Sequence, residues 1–363
     1  LRTDIAFLAI TEAHQIYHWL PAALALSRRA GVKVHVLSPS CMILDLVASY
    51  DSQGALNLIR LRRPLSSPDS LFRQPSRLLT LMLNYPSIRR FPLLVTTEIS
   101  SGWLRSMPGF SSRMVQIKHG AGDRDGGYKA RHAAFDMTIV AGDKDRRRLI
   151  ERGLCTSNNC AVGSYAKFEL QAARQRFFDN DLPVLLYNPH FDGKLSSWLN
   201  HGQAVLAALE ALERWNVIIA PHTKLAARTP PIRTDAPHIR VDMGSRHSID
   251  MSYTMSADVY LGDVSSQIYE FLLHPRPCIF LNLDRRDWRD DEAFAHWRLG
   301  QVIDDISALP QALERAAGLQ AGFVDAQEAA MSDSIDRSSR LASERQADII
   351  LNFARKSEGT ASA

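Results

Sequence analysis

The segment Ala257–Asn282, ADVYLGDVSSQIYEFLLHPRPCIFLN, constrains the fold more than any other stretch of the chain. Ala257–Leu261 is short and apolar, and Gly262-Asp263 interrupts it. Ser265 and Ser266 then open a helix with Ile268, Phe271 and Leu272 on one face. Pro275 and Pro277 stop that helix, and Cys278–Leu281 reads as a second buried strand. Two buried strands joined by a crossover helix belong to a parallel sheet covered by helices. A helix that starts from a Gly-Asp-x-Ser-Ser loop presents backbone N–H groups, two hydroxyls and a positive dipole end. Such a start can hold a phosphate. Alternatively, Asp263 or Ser265 serves only as the cap that a helix needs.

The same alternation runs through the chain. Asp4–Ile10 reads as a strand, Thr11–His14 as a loop, Ile16–Ala30 as a helix ending at Gly31, and Val32–Leu37 as the next strand. Strands follow at Leu56–Leu61, Phe91–Thr97, Arg113–Lys118, Phe135–Val140 and Cys160–Gly163, with helices at Cys41–Tyr50, Ser76–Leu83 and Ser101–Arg105. A second series starts at Pro183–Tyr187. It continues through a long helix Trp198–Trp215, strands Val217–Ala220 and Ile239–Val241, and a helix Ser248–Met255. Lys167–Phe178 reads as a polar helical stretch between the two series, and helices are expected near 291–299, 307–318 and 339–354. A length of 363 residues suits two domains. The expected organisation is an acceptor-side α/β domain over 1–165, a nucleotide-donor domain over 183–335, a crossover helix over 336–356 packing back on the first domain, and a disordered tail over 357–363.

Composition narrows the function classes. The net charge of +4 is too mild to argue for nucleic acid. Cys41, Cys155, Cys160 and Cys278 are scattered, which points to reduced thiols and a cytoplasmic setting. No signal peptide is legible from Leu1 onward, although a start without Met leaves any upstream sequence open. No apolar run of 18 or more residues could span a bilayer. Residues 62–91 carry six arginines around an apolar helix. An ordinary sheet-covering helix with solvated arginines is the favoured reading, and peripheral contact with the inner face of a membrane is the other.

Five strand-to-loop junctions are polar in a consistent way. They hold His14 with His18; His119-Gly120 with Asp123, Arg124 and Asp125; Asn188-Pro189-His190 with Ser196-Ser197; Pro221-His222-Thr223-Lys224; and Asp263-x-Ser265-Ser266 with Glu270. In open α/β sheets ligands bind outside the carboxyl ends of strands, so these loops are expected to line a cleft between the domains. The histidines lack the local spacing of a metal site, and no metal is expected. No G-x-S-x-G elbow supports a serine hydrolase. Thr11–His14 lacks the G-x-G-x-x-G of a dinucleotide site.

Taken together, these motifs resemble the CDP-glycerol glycerophosphotransferase family, of the teichoic-acid primase and polymerase type. The matching segments are KHGAGDRDGGY (118–128), YNPHF (187–191), Ser196-Ser197, APHTK (220–224), ADVYLGDVSSQIYEF (257–271) and RPCIFLN (276–282). The resemblance covers about residues 113–285, and residues 1–112 match only as a generic α/β domain. It implies an α/β, GT-B-like fold and transfer of glycerol phosphate, or a related polyol phosphate, from a CDP-activated donor to an acceptor hydroxyl. CMP is released, and neither metal nor cofactor is required. The acceptor would be a polymer or lipid-linked glycan of the cell envelope or capsule. By motif, His119 matches the catalytic base and His222 the second functional histidine. Ser265 and Ser266 match donor-phosphate binders, and Glu270 stands at the family's acidic position.

Asp263, Lys224, Asn188, His190 and Ser197 join the donor side, with Asp263 expected to cap the helix. His14, Gly120 and Asp123 fall on the acceptor side. Asp123 and Asp125 either orient His119 or are turn residues. Three departures bear on the donor. His222-Thr223 replaces the usual His-Pro, His190 adds an imidazole, and Glu270 replaces Asp. A glutamate in an equivalent region of UDP-sugar GT-B enzymes holds ribose hydroxyls. A glycosyltransferase using a UDP- or CMP-type nucleotide sugar is therefore the alternative reading. A non-catalytic nucleotide- or polymer-binding relative is the third.

Overall fold

The computed structural model describes residues 3–64, 69–124 and 127–356. The expected disordered tail lies outside the described residues, as does Asp125. The chain divides into two compact units. The first comprises the described residues of Leu1–Ala121, Tyr128–Leu170 and Asp333–Ala363, and the second those of Gly122–Gly127 and Gln171–Ser332.

The first unit is built on a seven-stranded, fully parallel sheet in the order β3-β2-β1-β4-β5-β6-β7. Its strands are β1 (Thr3–Leu8), β2 (Val32–Ser38), β3 (Asn57–Arg60), β4 (Leu93–Thr96), β5 (Arg113–Ile117), β6 (Met137–Val140) and β7 (Cys160–Val162). Helices α1 (Leu20–Ser27), α2 (Cys41–Ala48), α3 (Arg77–Ile88) and α4 (Asp143–Glu151) cover it. The second unit repeats the plan with six parallel strands in the order β10-β9-β8-β11-β12-β13. These are β8 (Val184–Asn188), β9 (Asn216–Ile219), β10 (Ile239–Val241), β11 (Val259–Gly262), β12 (Cys278–Leu281) and β13 (Gln301–Ile303). Its helices are α5 (Ser197–Glu210), α6 (Thr223–Ala226), α7 (Ser252–Ser256), α8 (Gln267–Phe271), α9 (Leu309–Leu319) and α10 (Val324–Ser334).

The central strands, such as β4 and β12, are continuous apolar runs because both sheet faces are covered there. On one face of the second sheet, the alternate residues Leu185, Tyr187, Val217, Ile219, Val259 and Leu261 pack with Val205 and Leu209 of α5 and Leu309 and Leu313 of α9. Each such side chain contributes about 1.5–3 kcal/mol on burial. In the first unit Leu8, Leu94 and Met114 pack with Leu81, Tyr85 and Ile88 of α3. The last helix, α11 (Ala342–Arg355), packs on α1 of the first unit. Arg29 reaches Asp348 at 3.0 Å and also meets Glu344. The Arg113 guanidinium lies over Phe353, 3.4 Å from the ring centroid.

Several expected helices differ. The stretch 16–30 is a 3-10 turn, Ala13–His18, followed by the shorter α1, because Pro21 can start a helix but not continue one. Lys167–Phe178 holds only a 3-10 turn, Ala166–Leu170, followed by extended chain. There the Gln175 amide donates to Ser256 Oγ at 2.9 Å, and Arg174 pairs with Asp258 at 2.7 Å. The segment 248–255 is broken by Met251 at φ +70°, leaving only α7. Residues 291–299 form a 3-10 helix, Glu292–Leu299. Strand β13 and helix α10 were not anticipated.

Candidate active site

Both sheets carry their polar loops at the point where the strand order reverses, between β1 and β4 in the first and between β8 and β11 in the second. There the carboxyl ends of two neighbouring strands leave a crevice between their loops.

In the first unit, His14 and His18 follow β1, Thr97 follows β4 and His119 follows β5. The rings of His14 and His18 lie 6.3 and 6.2 Å from the His119 ring. His119 Nδ1 sits 3.0 Å from the carbonyl oxygen of Thr97. A carbonyl can only accept, so Nδ1 carries the proton and a neutral His119 is basic at Nε2. Gln15 ties the loops beneath, accepting from Thr11 Oγ1 at 3.0 Å and from Thr97 Oγ1 at 2.8 Å. The residue before His119 is anchored as well. Lys118 Nζ donates to both oxygens of Asp145 at 3.0 Å, and the Tyr128 hydroxyl also reaches Asp145. Gly120 has φ +72°, which lets the chain turn sharply behind the imidazole. Burial first, then Lys167, His119 and His14, hold the His18 pKa well below its ordinary value, so its ring is neutral.

In the second unit, β8 delivers His190 and Phe191, β9 delivers His222 and Lys224, and β11 delivers Asp263. Phe191 is the hub. His190 and His222 lie 4.3 and 4.6 Å from its centroid. Lys224 Nζ and the Arg124 guanidinium stand 5.0 and 5.6 Å away, at cation–π range. His222 Nδ1 accepts from the Lys224 amide at 3.1 Å, and His190 Nδ1 accepts from the Asp192 amide at 3.1 Å. Both neutral rings therefore carry their proton on Nε2 and are donors there. Burial, with Arg124 and Lys224 nearby, pushes the His190 pKa down to about 3 against the pull of Asp192.

The remaining site residues fall into place unevenly. Asp263 does not cap α8, the helix that follows it. Its Oδ2 accepts from the His190 amide at 2.9 Å and the Ser197 amide at 3.0 Å, which locks the β8 loop and the start of α5 to β11. Burial raises its pKa to about 6, against the bonds from Ser197 and His190. The helix behind Ser265 and Ser266 is only the five-residue α8. It is too short for a strong dipole, and Ser265 Oγ is engaged by the Gln267 amide at 3.2 Å. Asn188 is buried and donates to the Ala220 carbonyl at 2.6 Å. Ser197 Oγ lies 2.7 Å from the Tyr187 hydroxyl, while Ser196 caps α5 through the Leu199 amide at 3.2 Å. Glu270 is buried on α8.

Asp123, expected on the acceptor side, belongs to the second unit. Its Oδ2 accepts from the Tyr269 hydroxyl at 2.7 Å and lies 3.1 Å from His296 Nδ1. Gly122 lets that loop approach closely, since a Cβ there would stand 2.9 Å from Ser266 Cβ. The roles of Phe191, Tyr269 and His296 were not read from the sequence, and Arg124 was noted only as a neighbour of Asp123. Arg124 had one usable signal, its place directly behind the His-Gly turn. His296 lies in a segment with no motif.

No family model matches this chain, and no curated protein sequence matches it. Among solved structures it is similar to the wall teichoic acid polymerase TagF, with TM-score 0.67 and 11% identity over 98% of this chain and 89% of that one. It is similar to CalG4, the calicheamicin glycosyltransferase, with TM-score 0.54 and 15% identity over 97% and 98% of the two chains. It is also similar to S. aureus MnaA in a structure with UDP, with TM-score 0.64 and 11% identity over 97% of each chain. At these identities the likeness establishes the fold: the α/β, GT-B-like class expected from the sequence.

Proposed function

We propose that this chain is a GT-B-type transferase. In this reading it moves glycerol phosphate, or a related polyol phosphate, from a CDP-activated donor to an acceptor hydroxyl on a polymer or lipid-linked glycan. The observation that carries the reading is the opposite setting of the imidazoles. His119 is basic at Nε2, whereas His190 and His222 are donors at Nε2.

A base is needed where the acceptor hydroxyl loses its proton, and fixed donors are needed where phosphate oxygens gain charge. His119 takes the proton as the hydroxyl oxygen attacks the donor β-phosphorus. The bond from that phosphorus to the bridging oxygen breaks, and CMP leaves. Arg124, Lys224 and the two Nε2–H groups hold the phosphates and take up the leaving charge, with Ser265 and Ser266 beside them. Such catalysis is positioning and electrostatics, and it needs no metal or cofactor. His14 and Gly120 shape the acceptor side. TagF, a wall teichoic acid polymerase also solved as a variant soaked with CDPG, supports this reading through its shared fold.

A nucleotide-sugar glycosyltransferase is the second reading. Glu270 in α8 and the likeness to CalG4 favour it. The test is release of CMP from CDP-glycerol and CDP-ribitol against release of UDP from UDP-sugars, each with and without a glycan acceptor. Acceptor-dependent CMP release is the expected result. Turnover of UDP-sugars alone replaces the first reading with the second.

A further inference from the structure

Cys155 and Cys160, scattered thiols by sequence, meet in the first unit. Helix α4 ends just before Gly153, which turns the chain back at φ +65°. The Cys155 amide then donates to the Leu149 carbonyl at 3.2 Å, and strand β7 starts at Cys160. Residues 156–159 form a tight turn between them. The Asn159 amide donates to the Thr156 carbonyl at 3.3 Å. Asn159 Oδ1 accepts from the Thr156 amide at 2.6 Å and from Thr156 Oγ1 at 3.0 Å. Cys155 and Cys160 therefore flank the two ends of one turn, and their side chains pack in one cluster with Tyr128, Val140 and Leu149. Both are free thiols, and the Cys160 thiol donates a hydrogen bond to the Cys155 sulfur.

The two sulfurs are unequal. The hydrogen bond from Cys160 holds the Cys155 pKa down to about 7 against the effect of burial, whereas the same bond, with burial, pushes Cys160 up. At neutral pH Cys155 is thus the nucleophile and Cys160 the resolving thiol. Both side chains are covered, but Thr156, Ser157 and Asn158 between them are exposed, and β7 is an edge strand of its sheet. The pair lies directly beneath a surface turn. Tyr128 links it to the residue before His119. The Tyr128 ring packs in the same cluster, its hydroxyl reaches Asp145, and Lys118 Nζ lies 5.0 Å from its centroid. A disulfide draws two sulfurs from contact to about 2.05 Å, and neighbours in a close-packed cluster follow.

We propose that Cys155 and Cys160 are a redox pair that a small-molecule disulfide closes into an intramolecular bond, and that Tyr128 registers the closure. The Cys155 thiolate attacks one sulfur of the oxidant and expels a thiolate. The Cys160 sulfur, giving up its proton, then attacks the Cys155 sulfur and expels the second thiolate. The protein loses two hydrogens, and the oxidant is reduced to two thiols. The proposal does not depend on the reaction the protein performs. To test it, the folded full chain is incubated with oxidised glutathione, quenched with iodoacetamide and digested with trypsin without reductant. The tryptic peptide 153–167 carries both cysteines and neither of the other two. It should be two hydrogens lighter and unlabelled, and should accept two labels after dithiothreitol. Cys160→Ser should stop at a mixed disulfide with one glutathione on Cys155, and Cys155→Ser should take up glutathione at least about ten-fold more slowly. Closure should alter the tyrosine band of the near-ultraviolet circular dichroism, and Tyr128→Phe should abolish that change. A doubly labelled peptide from the native parent overturns the proposal, as does a disulfide to a second chain or two glutathiones without closure. An unchanged spectrum in a parent shown to be closed overturns the part given to Tyr128. Thermal melting establishes that each variant is folded, and the peptide masses of the parent decide the central point without them.

Discussion

The two units share a strand order around their reversal points, and their loops carry opposite chemistry. In the first, the lysine that precedes His119 is withdrawn. Lys118 is buried and bound to Asp145, and what remains is an imidazole made basic by the Thr97 carbonyl. In the second, the carboxylate is withdrawn. Asp263 is buried under two backbone amides, and what remains are cations over an aromatic ring and imidazoles that donate. One backbone hydrogen bond per histidine sets the difference. A histidine at a strand end is therefore not a role in itself. The atom that meets its Nδ1 decides whether it serves as base or donor.

The largest effect should come from His119. In single-turnover assays with CDP-glycerol, His119→Ala should slow transfer by about 10²–10⁴ while leaving donor affinity near that of the parent. His222→Ala should do the reverse and weaken the donor first. If the two variants behave alike, the contrast between the units is broken. Next come the cations. Arg124→Ala and Lys224→Ala should each weaken CDP-glycerol about 10–100-fold in calorimetric titration, as expected for loss of a charge-assisted bond. Cytidine, which lacks phosphate, should be indifferent to both changes. An equal loss for cytidine would show that the site had collapsed rather than lost an anion contact.

The acid response sharpens the comparison within the second unit. His190 titrates near 3 when folded and near 6.5 when unfolded, so it contributes stability that is lost as pH falls from 6.5 towards 3. Asp263 titrates near 6 when folded and near 3.8 when unfolded, so its contribution is full below 3.8 and lost as pH rises through 6. Between those limits the two slopes oppose. Asp263→Asn keeps an acceptor for the His190 and Ser197 amides and removes the titration. The difference in stability between parent and variant should therefore change by on the order of 1 kcal/mol per pH unit between pH 4 and 6, with the variant losing ground as pH falls. Urea melts across that range read it directly. A flat difference would mean that Asp263 is charged throughout.

Apart from the short, part-exposed edge strand β13, the sheet plan was legible because strands buried on both faces leave apolar runs, and Gly and Pro punctuate them. The 3-10 segments were not legible, because a few residues of apolar spacing fit either helix type. The helix expected over 167–178 fails for a different reason. Its backbone and side chains find partners in Ser256 and Asp258, and no local propensity outweighs them. At the site, the strand-end histidines stood out by position. Their tautomers did not, because Thr97 is 22 residues from His119. Tyr269 and His296 were invisible for the same reason, lying 146 and 173 residues from the Asp123 they face.

The smallest effect belongs to that last contact, and it tests whether the 122–124 loop is part of the donor site. Tyr269 donates to Asp123 at 2.7 Å inside the second unit, and Gly122 is pressed against Ser266, so Arg124 is delivered to Phe191 from a pinned stretch of chain. Tyr269→Phe removes one hydroxyl and leaves the ring packing in place. It should cost about 0.5–1.5 kcal/mol of stability in urea melts. If the pin also positions Arg124, donor affinity should fall with it, by less than the loss in Arg124→Ala. The double variant Tyr269→Phe/Arg124→Ala should then lose less donor affinity than the two single losses combined, because the hydroxyl acts through the guanidinium. Full additivity would separate the pin from the cradle and leave Asp123 as a support of the fold alone.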